Sequence, residues 1–167
     1  ALFDGLNGDG CGDMAGITAK LRYIRRMGAT VIWITPFYLT PFLDEGYDVS
    51  DHLQFDPRFG KLNDIIAFIE QARELGMQVI IELLIQHTSD AHPWFRQARR
   101  NPQSPYRDYY LWSDTDDDDT PPMFPGVEKS IWTWDDEAAQ YYPHMFYHTK
   151  ADPHLASPAA INDDGNH

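Results

Sequence analysis

Two short, β-branched, almost wholly apolar runs, each preceded by a helix-period segment that closes on glycine, constrain this chain more than any other feature. Ile17, Leu21, Ile24 and Met27 recur at helical spacing, and Gly28 can end that helix. The run Thr30 to Thr35 follows, bounded by Gly28 and Pro36. Leu62, Ile65, Ile66, Ile69, Ala72 and Leu75 repeat the helical pattern, Gly76 closes it, and Met77 to Ile85 is the second run. A strand that is apolar at nearly every position is built to be covered on both faces, the condition of a parallel sheet flanked by helices. Helix, strand, helix, strand therefore predicts an α/β fold with two buried parallel strands.

The pattern changes after His87. His92 to Arg100 reads as a short helix, and from Tyr106 the text is aromatic and irregular. Asp108 to Trp112, Ile131 to Trp134 and Gln140 to Tyr147 are the predicted strands of an excursion inserted after the second apolar run. Asp116 to Asp119 reads most simply as a solvated loop tip, with a calcium site as the alternative. The formal charge of −13 disfavours nucleic acid and anionic membrane as partners, since both need a basic surface. A single cysteine, Cys11, excludes an internal disulfide framework. No apolar stretch approaches membrane-spanning length and no signal peptide is recognisable, so a cytoplasmic location is expected. Aromatic residues at 14% suit either packing or a cleft in which sugar faces stack on rings.

Three segments carry residue types with chemistry. Asn7-Gly8-Asp9-Gly10-Cys11-Gly12-Asp13 spaces side-chain oxygens among glycines, as a hard cation such as Ca²⁺ requires, and is also readable as an ordinary turn into a helix. Asp44-Glu45-Gly46-Tyr47-Asp48 lies in the loop after the first run, at the carboxyl end of a parallel strand, where α/β proteins place ligands. Its carboxylates suit sugar hydroxyls and Tyr47 suits a sugar face; a polar turn is the other reading. His87 follows the second run in the corresponding position and is either a donor to a ligand oxygen or a structural histidine. His144 and His148 have the spacing of helical zinc ligands, but Pro143 and the surrounding rings favour a strand.

Taken together, these segments resemble the α-amylase family, glycoside hydrolase family 13, and most closely its trehalose synthase branch. The likeness runs through Asn7 to Asp13, Trp33-Ile34-Thr35-Pro36-Phe37-Tyr38, Gly46-Tyr47-Asp48-Val49-Ser50-Asp51, His87-Thr88-Ser89-Asp90, His92-Pro93-Trp94-Phe95, Tyr106 to Thr115 and Trp132-Thr133-Trp134-Asp135. It implies a partial (β/α)8 TIM barrel, comprising the first strands and helices, with domain B inserted after the third barrel strand. On that map residues 1–86 belong to the barrel, 87–150 to domain B, and 151–167 lead back toward the barrel. The resemblance also implies a calcium held by Asn7, Asp9 and Asp13 with the Cys11 carbonyl. It implies a terminal glucose bound by Asp44, Tyr47 and His87.

Gln86 stands where relatives usually have Asn, and Ala151-Asp152-Pro153-His154 replaces a Pro-Asp-Leu-Asn motif. The family's nucleophilic Asp and acid/base Glu lie on barrel strands four and five, which this chain does not reach; no catalytic residue is assigned to it. The expectation is an amino-terminal fragment of a retaining enzyme that converts maltose to trehalose by glucosyl transfer, with α-glucosidase or oligo-1,6-glucosidase as the alternative. A non-catalytic sugar- or calcium-binding chain is the reading from a different class. Expected partners are maltose or short α-linked glucosides, and further copies of the chain through uncovered barrel faces.

Overall fold

The computed structural model describes residues 8, 10–116 and 120–153, which form two compact units. Of the described residues, those up to 39 together with 52–83 make the first unit, and 40–51 together with those from 84 to 153 make the second.

In the first unit, helix α1 (Met14–Arg26) begins where the Asp13 carboxylate accepts the Gly16 N–H at 2.7 Å. It ends just before Gly28, whose φ of 96° is left-handed backbone that a residue with a Cβ adopts only under strain. Strand β1 (Val31–Ile34) follows, then β2 (Tyr38–Leu39), which pairs with β3 (Asp51–Phe55). Helix α2 (Leu62–Glu74) starts with the Asp64 carboxylate reaching back to the Lys61 N–H at 2.8 Å. Strand β4 (Gln78–Ile81) runs parallel to β1, in the register Val31↔Gln78 through Ile34↔Ile81. Leu21, Ile32, Ile34, Ile65, Phe68 and Ala72 are the centre of the core between the helices and this pair, and the Arg25 side chain donates to the Leu75 carbonyl at 3.1 Å.

The parallel pairing agrees with the sequence expectation, but the strands are shorter and not buried on both faces. Ile32 and Ile34 are buried against the helices, while Val31, Trp33, Ile80 and Ile81 are exposed, Trp33 by 67%. The helices of this unit cover one face of the pair, and the regular pairing stops where β1 runs into Pro36, so β4 ends at Ile81 instead of reaching Ile85.

In the second unit, β5 (Thr88–Ser89) precedes α3 (Pro93–Arg100), which is capped by His92 Nδ1 accepting from Trp94 N–H at 3.2 Å. An antiparallel hairpin of β6 (Trp132–Asp135) and β7 (Gln140–Pro143) follows, and β8 (Lys150–Ala151) returns antiparallel to β5. The core is aromatic: Phe95 lies 5.0 Å from Tyr110, 5.6 Å from Trp112 and 4.9 Å from Tyr142, ring centre to ring centre. The strand expected over Asp108 to Trp112 is instead a 3-10 turn, Arg107–Tyr109. A strand sends alternate side chains to opposite faces, whereas the turn lets Tyr109 and Tyr110 both reach α3, and Trp112 Nε1 donates to the Arg107 carbonyl at 3.1 Å. The strand expected to reach Tyr147 ends at Pro143. Among the described residues no helix is long and apolar enough to cross a membrane.

Candidate sugar-binding site

The loop after β2 owes its shape to one buried carboxylate. Asp48 is fully buried, accepts from Thr40 Oγ1 at 2.8 Å and Leu43 N–H at 2.8 Å, and receives a longer bond of 3.2 Å from Asp44 N–H. A buried anion is tolerated when it is surrounded by donors in this way. The loop closes tightly: Tyr47 N–H donates to the Asp44 carbonyl at 2.9 Å, and Phe42, Glu45 and Gly46 all have positive φ. Two non-glycine residues in the left-handed region, stored beside Asp44, are the kind of local strain that collects at functional loops.

His87 is 5% exposed and sits directly before β5. Its Nε2 lies 2.7 Å from the Tyr47 carbonyl oxygen, so that nitrogen carries the proton and donates it. The imidazole therefore braces the loop that carries Asp44, and its Nε2 proton is not the one offered to a ligand. The Phe146 ring packs on the same imidazole, edge to face, with centres 5.4 Å apart.

Asp44 meets Lys150 in an ion pair through Oδ2. Three backbone links bring them together: Ser89 N–H donates to the Val49 carbonyl at 2.8 Å, Ser89 is paired with Lys150 across β5 and β8, and Asp90 N–H donates to the Thr149 carbonyl at 2.9 Å. The Lys150 ammonium also lies over the rings of Phe146 and Tyr147, at 4.8 and 5.3 Å. Asp44, Tyr47 and His87, the three residues singled out from sequence, thus fall in one constellation of the second unit, joined through Phe146 and Lys150. Sequence reasoning missed Phe146 and Lys150, and it read the Asp48 carboxylate as suited to sugar hydroxyls, whereas the fold buries Asp48 as an acceptor for its own loop. The signal that was available for that role of Asp48 is its position closing a short Gly-containing loop of carboxylates; nothing near Lys150 in the sequence points to Asp44.

The remaining candidates are placed elsewhere. Asp13 and Cys11 are described, Asn7 and Asp9 lie outside the described residues, and Gly8 and Gly10 take φ of 67° and 77°. The Asp13 carboxylate already caps α1 with one oxygen. Among the described residues no three His, Cys, Asp or Glu side chains are grouped for a metal ion, and Asp117 to Asp119 lie outside them. His144 and His148 share Glu128, at 3.7 and 3.3 Å, and His144 Nδ1 lies 3.1 Å from Thr133 Oγ1. Nearby, a cavity of about 380 Å³ is walled by Pro121, Pro122, Met123, Ile131 and Met145, with His144 and Asp152 on its lining. Burial pushes the Asp152 carboxyl up to about 7 and the His144 imidazole below its ordinary value.

The family model for the alpha-amylase catalytic domain matches residues 1–163. The chain belongs to the alpha-amylase family. It is 43% identical over 154 residues to a trehalose synthase of Pimelobacter sp. (strain R48), covering 91% of this chain and 27% of that protein. It is 45% identical over 161 residues to a probable alpha-glucosidase of Rhizobium meliloti (strain 1021), covering 93% of this chain and 29% of that one. Among solved structures, the alpha-glucosyl transfer enzyme XgtA superposes with a TM-score of 0.87 at 39% identity, over 96% of this chain and 30% of that enzyme. Trehalose-6-phosphate hydrolase of Bacillus licheniformis superposes with a TM-score of 0.86 at 36% identity, over 96% of this chain and 29% of that enzyme. The chain thus spans less than a third of the length of these alpha-amylase-family relatives, and its α/β architecture is consistent with part of their barrel.

Proposed function

We propose that this chain is part of a retaining, α-glucoside-active enzyme of the trehalose synthase kind, which opens maltose and returns the glucosyl unit to the same glucose as an α-1,1 link. The observation that carries the reading is the meeting of Asp44, Tyr47 and His87 in one unit, the positions where the resemblance implies contact with a terminal glucose. In this reading Asp44 accepts from sugar hydroxyls, Tyr47 offers its ring, and His87 holds the loop that carries both. Their work is positioning, which converts binding into rate by fixing the reacting bond before chemistry begins. Residues 1–86 are assigned to the barrel, 87–150 to domain B and 151–167 to the return. A structural calcium is assigned to Asn7, Asp9 and Asp13 with the Cys11 carbonyl; the ion would pin the loop ahead of α1.

A second reading, hydrolysis by an α-glucosidase, is favoured by the 45% identity to the Rhizobium meliloti protein. Product analysis on a longer chain carrying this sequence separates the two. Trehalose from maltose supports the synthase and glucose alone supports the glucosidase, while untouched maltose and isomaltose would overturn both. The 167-residue chain by itself is expected to bind glucose without converting maltose, because the resemblance puts both reacting carboxylates on barrel strands outside it. Steady conversion by the purified chain would contradict that expectation.

A further inference from the structure

We propose that Lys150 is a positioning residue of the sugar site: it grips one oxygen of Asp44 and thereby presents the other to a hydroxyl of a neutral hexose. The inference rests on the reading of Asp44 as a glucose-binding residue and extends that site by one further side chain.

The geometry separates a fixed partner from an accessible one. Lys150 is 2% exposed, while the Asp44 side chain keeps 25% of its surface open. An ammonium removed from water this completely persists only with a carboxylate against it and a substitute for its lost hydration, and the Phe146 and Tyr147 rings supply the second. Its backbone is pinned as well, by pairing with Ser89 and by the bond from Lys150 N–H to the Tyr147 carbonyl at 2.8 Å. Lys150 therefore has no room to follow Asp44, and Asp44 is held to Lys150. Asp44 sits on a loop between two strained residues, Phe42 and Glu45, where a free carboxylate would sample several rotamers. Binding a hydroxyl would then have to order that side chain first, a cost that pre-organisation removes. The pair is also electrically balanced, which suits an uncharged sugar and leaves one acceptor oxygen with its orientation set. Phe146 touches both His87 and Lys150, so ammonium, carboxylate and imidazole are linked through one ring and one ion pair.

The test is calorimetric titration of the full 167-residue chain with glucose, on wild type, Lys150→Met, Lys150→Arg, Asp44→Asn and the Asp44→Asn/Lys150→Met double variant. Lys150→Met is expected to weaken glucose binding about tenfold, the scale of a single charge-assisted hydrogen bond removed or misplaced, and Lys150→Arg to recover most of it. In the Asp44→Asn background, Lys150→Met should have no further effect, because Lys150 acts through Asp44. Equal weakening in both backgrounds, or wild-type affinity in Lys150→Met, would overturn the proposal. Lys150→Gln replaces the Met variant should that one fail to fold. If the wild-type chain takes up no glucose, the reading of the site fails separately, and the positioning claim is decided on Asp44 itself. Carbon-13 relaxation of its carboxylate should then report greater mobility in Lys150→Met but not in Lys150→Arg, and unchanged mobility sinks the claim.

Discussion

Asp48 shows how much one side chain can organise. Its three hydrogen bonds give the loop that carries Asp44 and Tyr47 its path, and two of them come from backbone N–H groups that would be left short of partners without it. Asp48→Ala is expected to destabilise the chain by about 3 kcal/mol, the scale of losing bonds to a buried charge and stranding its donors. Urea unfolding of the variant checks this; a loss under about 1 kcal/mol would mean the loop re-forms around water. Asp152 makes a prediction about pH. Its carboxyl is pushed from 3.8 up to about 7 by burial, so between those values the folded chain holds a proton that the unfolded chain has released. Its contribution to stability is therefore full below about pH 4 and lost as pH rises to about 7. His144 works in the opposite sense: burial lowers it, so the folded chain releases a proton the unfolded chain keeps, and stability falls as pH drops through about 6.5. Asp152→Asn should remove the first slope and leave the second. Denaturant midpoints measured from pH 4 to 8 for both chains decide it, and an unchanged downward slope in the variant would assign the effect to another group.

At the scale of elements, the two helices of the first unit were readable because their ends are local chemistry. Asp13, Asp64, Gly28 and Gly76 each act within a few residues of the helix they bound. Asp13→Ala should cost about 1 kcal/mol through the lost cap alone. If the proposed calcium is present, the wild-type melting temperature should also fall on adding chelator, and that fall should vanish in the variant. Chelator lowering both chains equally would place the ion elsewhere. Helix α3 depends on what packs against it. Phe95 is fully buried among Tyr110, Trp112 and Tyr142, and Phe95→Ala is expected to cost about 3–5 kcal/mol. Near-ultraviolet circular dichroism should lose its aromatic signal in that variant, while the far-ultraviolet helix signal of α1 and α2, which belong to a separate core, should persist.

At the scale of the molecule, the first unit carries an uncovered apolar strand face formed by Val31, Trp33 and Ile80, which the register places on one side of the pair. Such a face drives association in water. Trp33→Lys is expected to lower dye binding and shift light scattering toward monomer, with the melting temperature little changed because Trp33 contributes little to the core beneath it. A wild-type chain that is already a dye-silent monomer would contradict this.

Sequence alone determined whatever depends on neighbours in the chain. The period-3.6 stripe of Leu21 and Ile24, the β-branched run at Val31 to Ile34 and the glycine stops were enough for two helices and two parallel strands, and the motifs around Tyr47 and His87 were enough for the family. Pairing across long separations is a different matter. Asp108 to Trp112 has the composition of a strand, yet the gain from packing two tyrosines on α3 favours a turn. That His87 spends its Nε2 proton on the Tyr47 carbonyl depends on where a loop forty residues away closes. Lys150 reaches Asp44 across 106 positions only because β8 pairs with β5 while Ser89 holds the Asp48 loop by Val49. A lone lysine in an aromatic stretch reads as a solvated charge; only the folded chain takes it out of water, and the carboxylate set against it is what makes that burial stable.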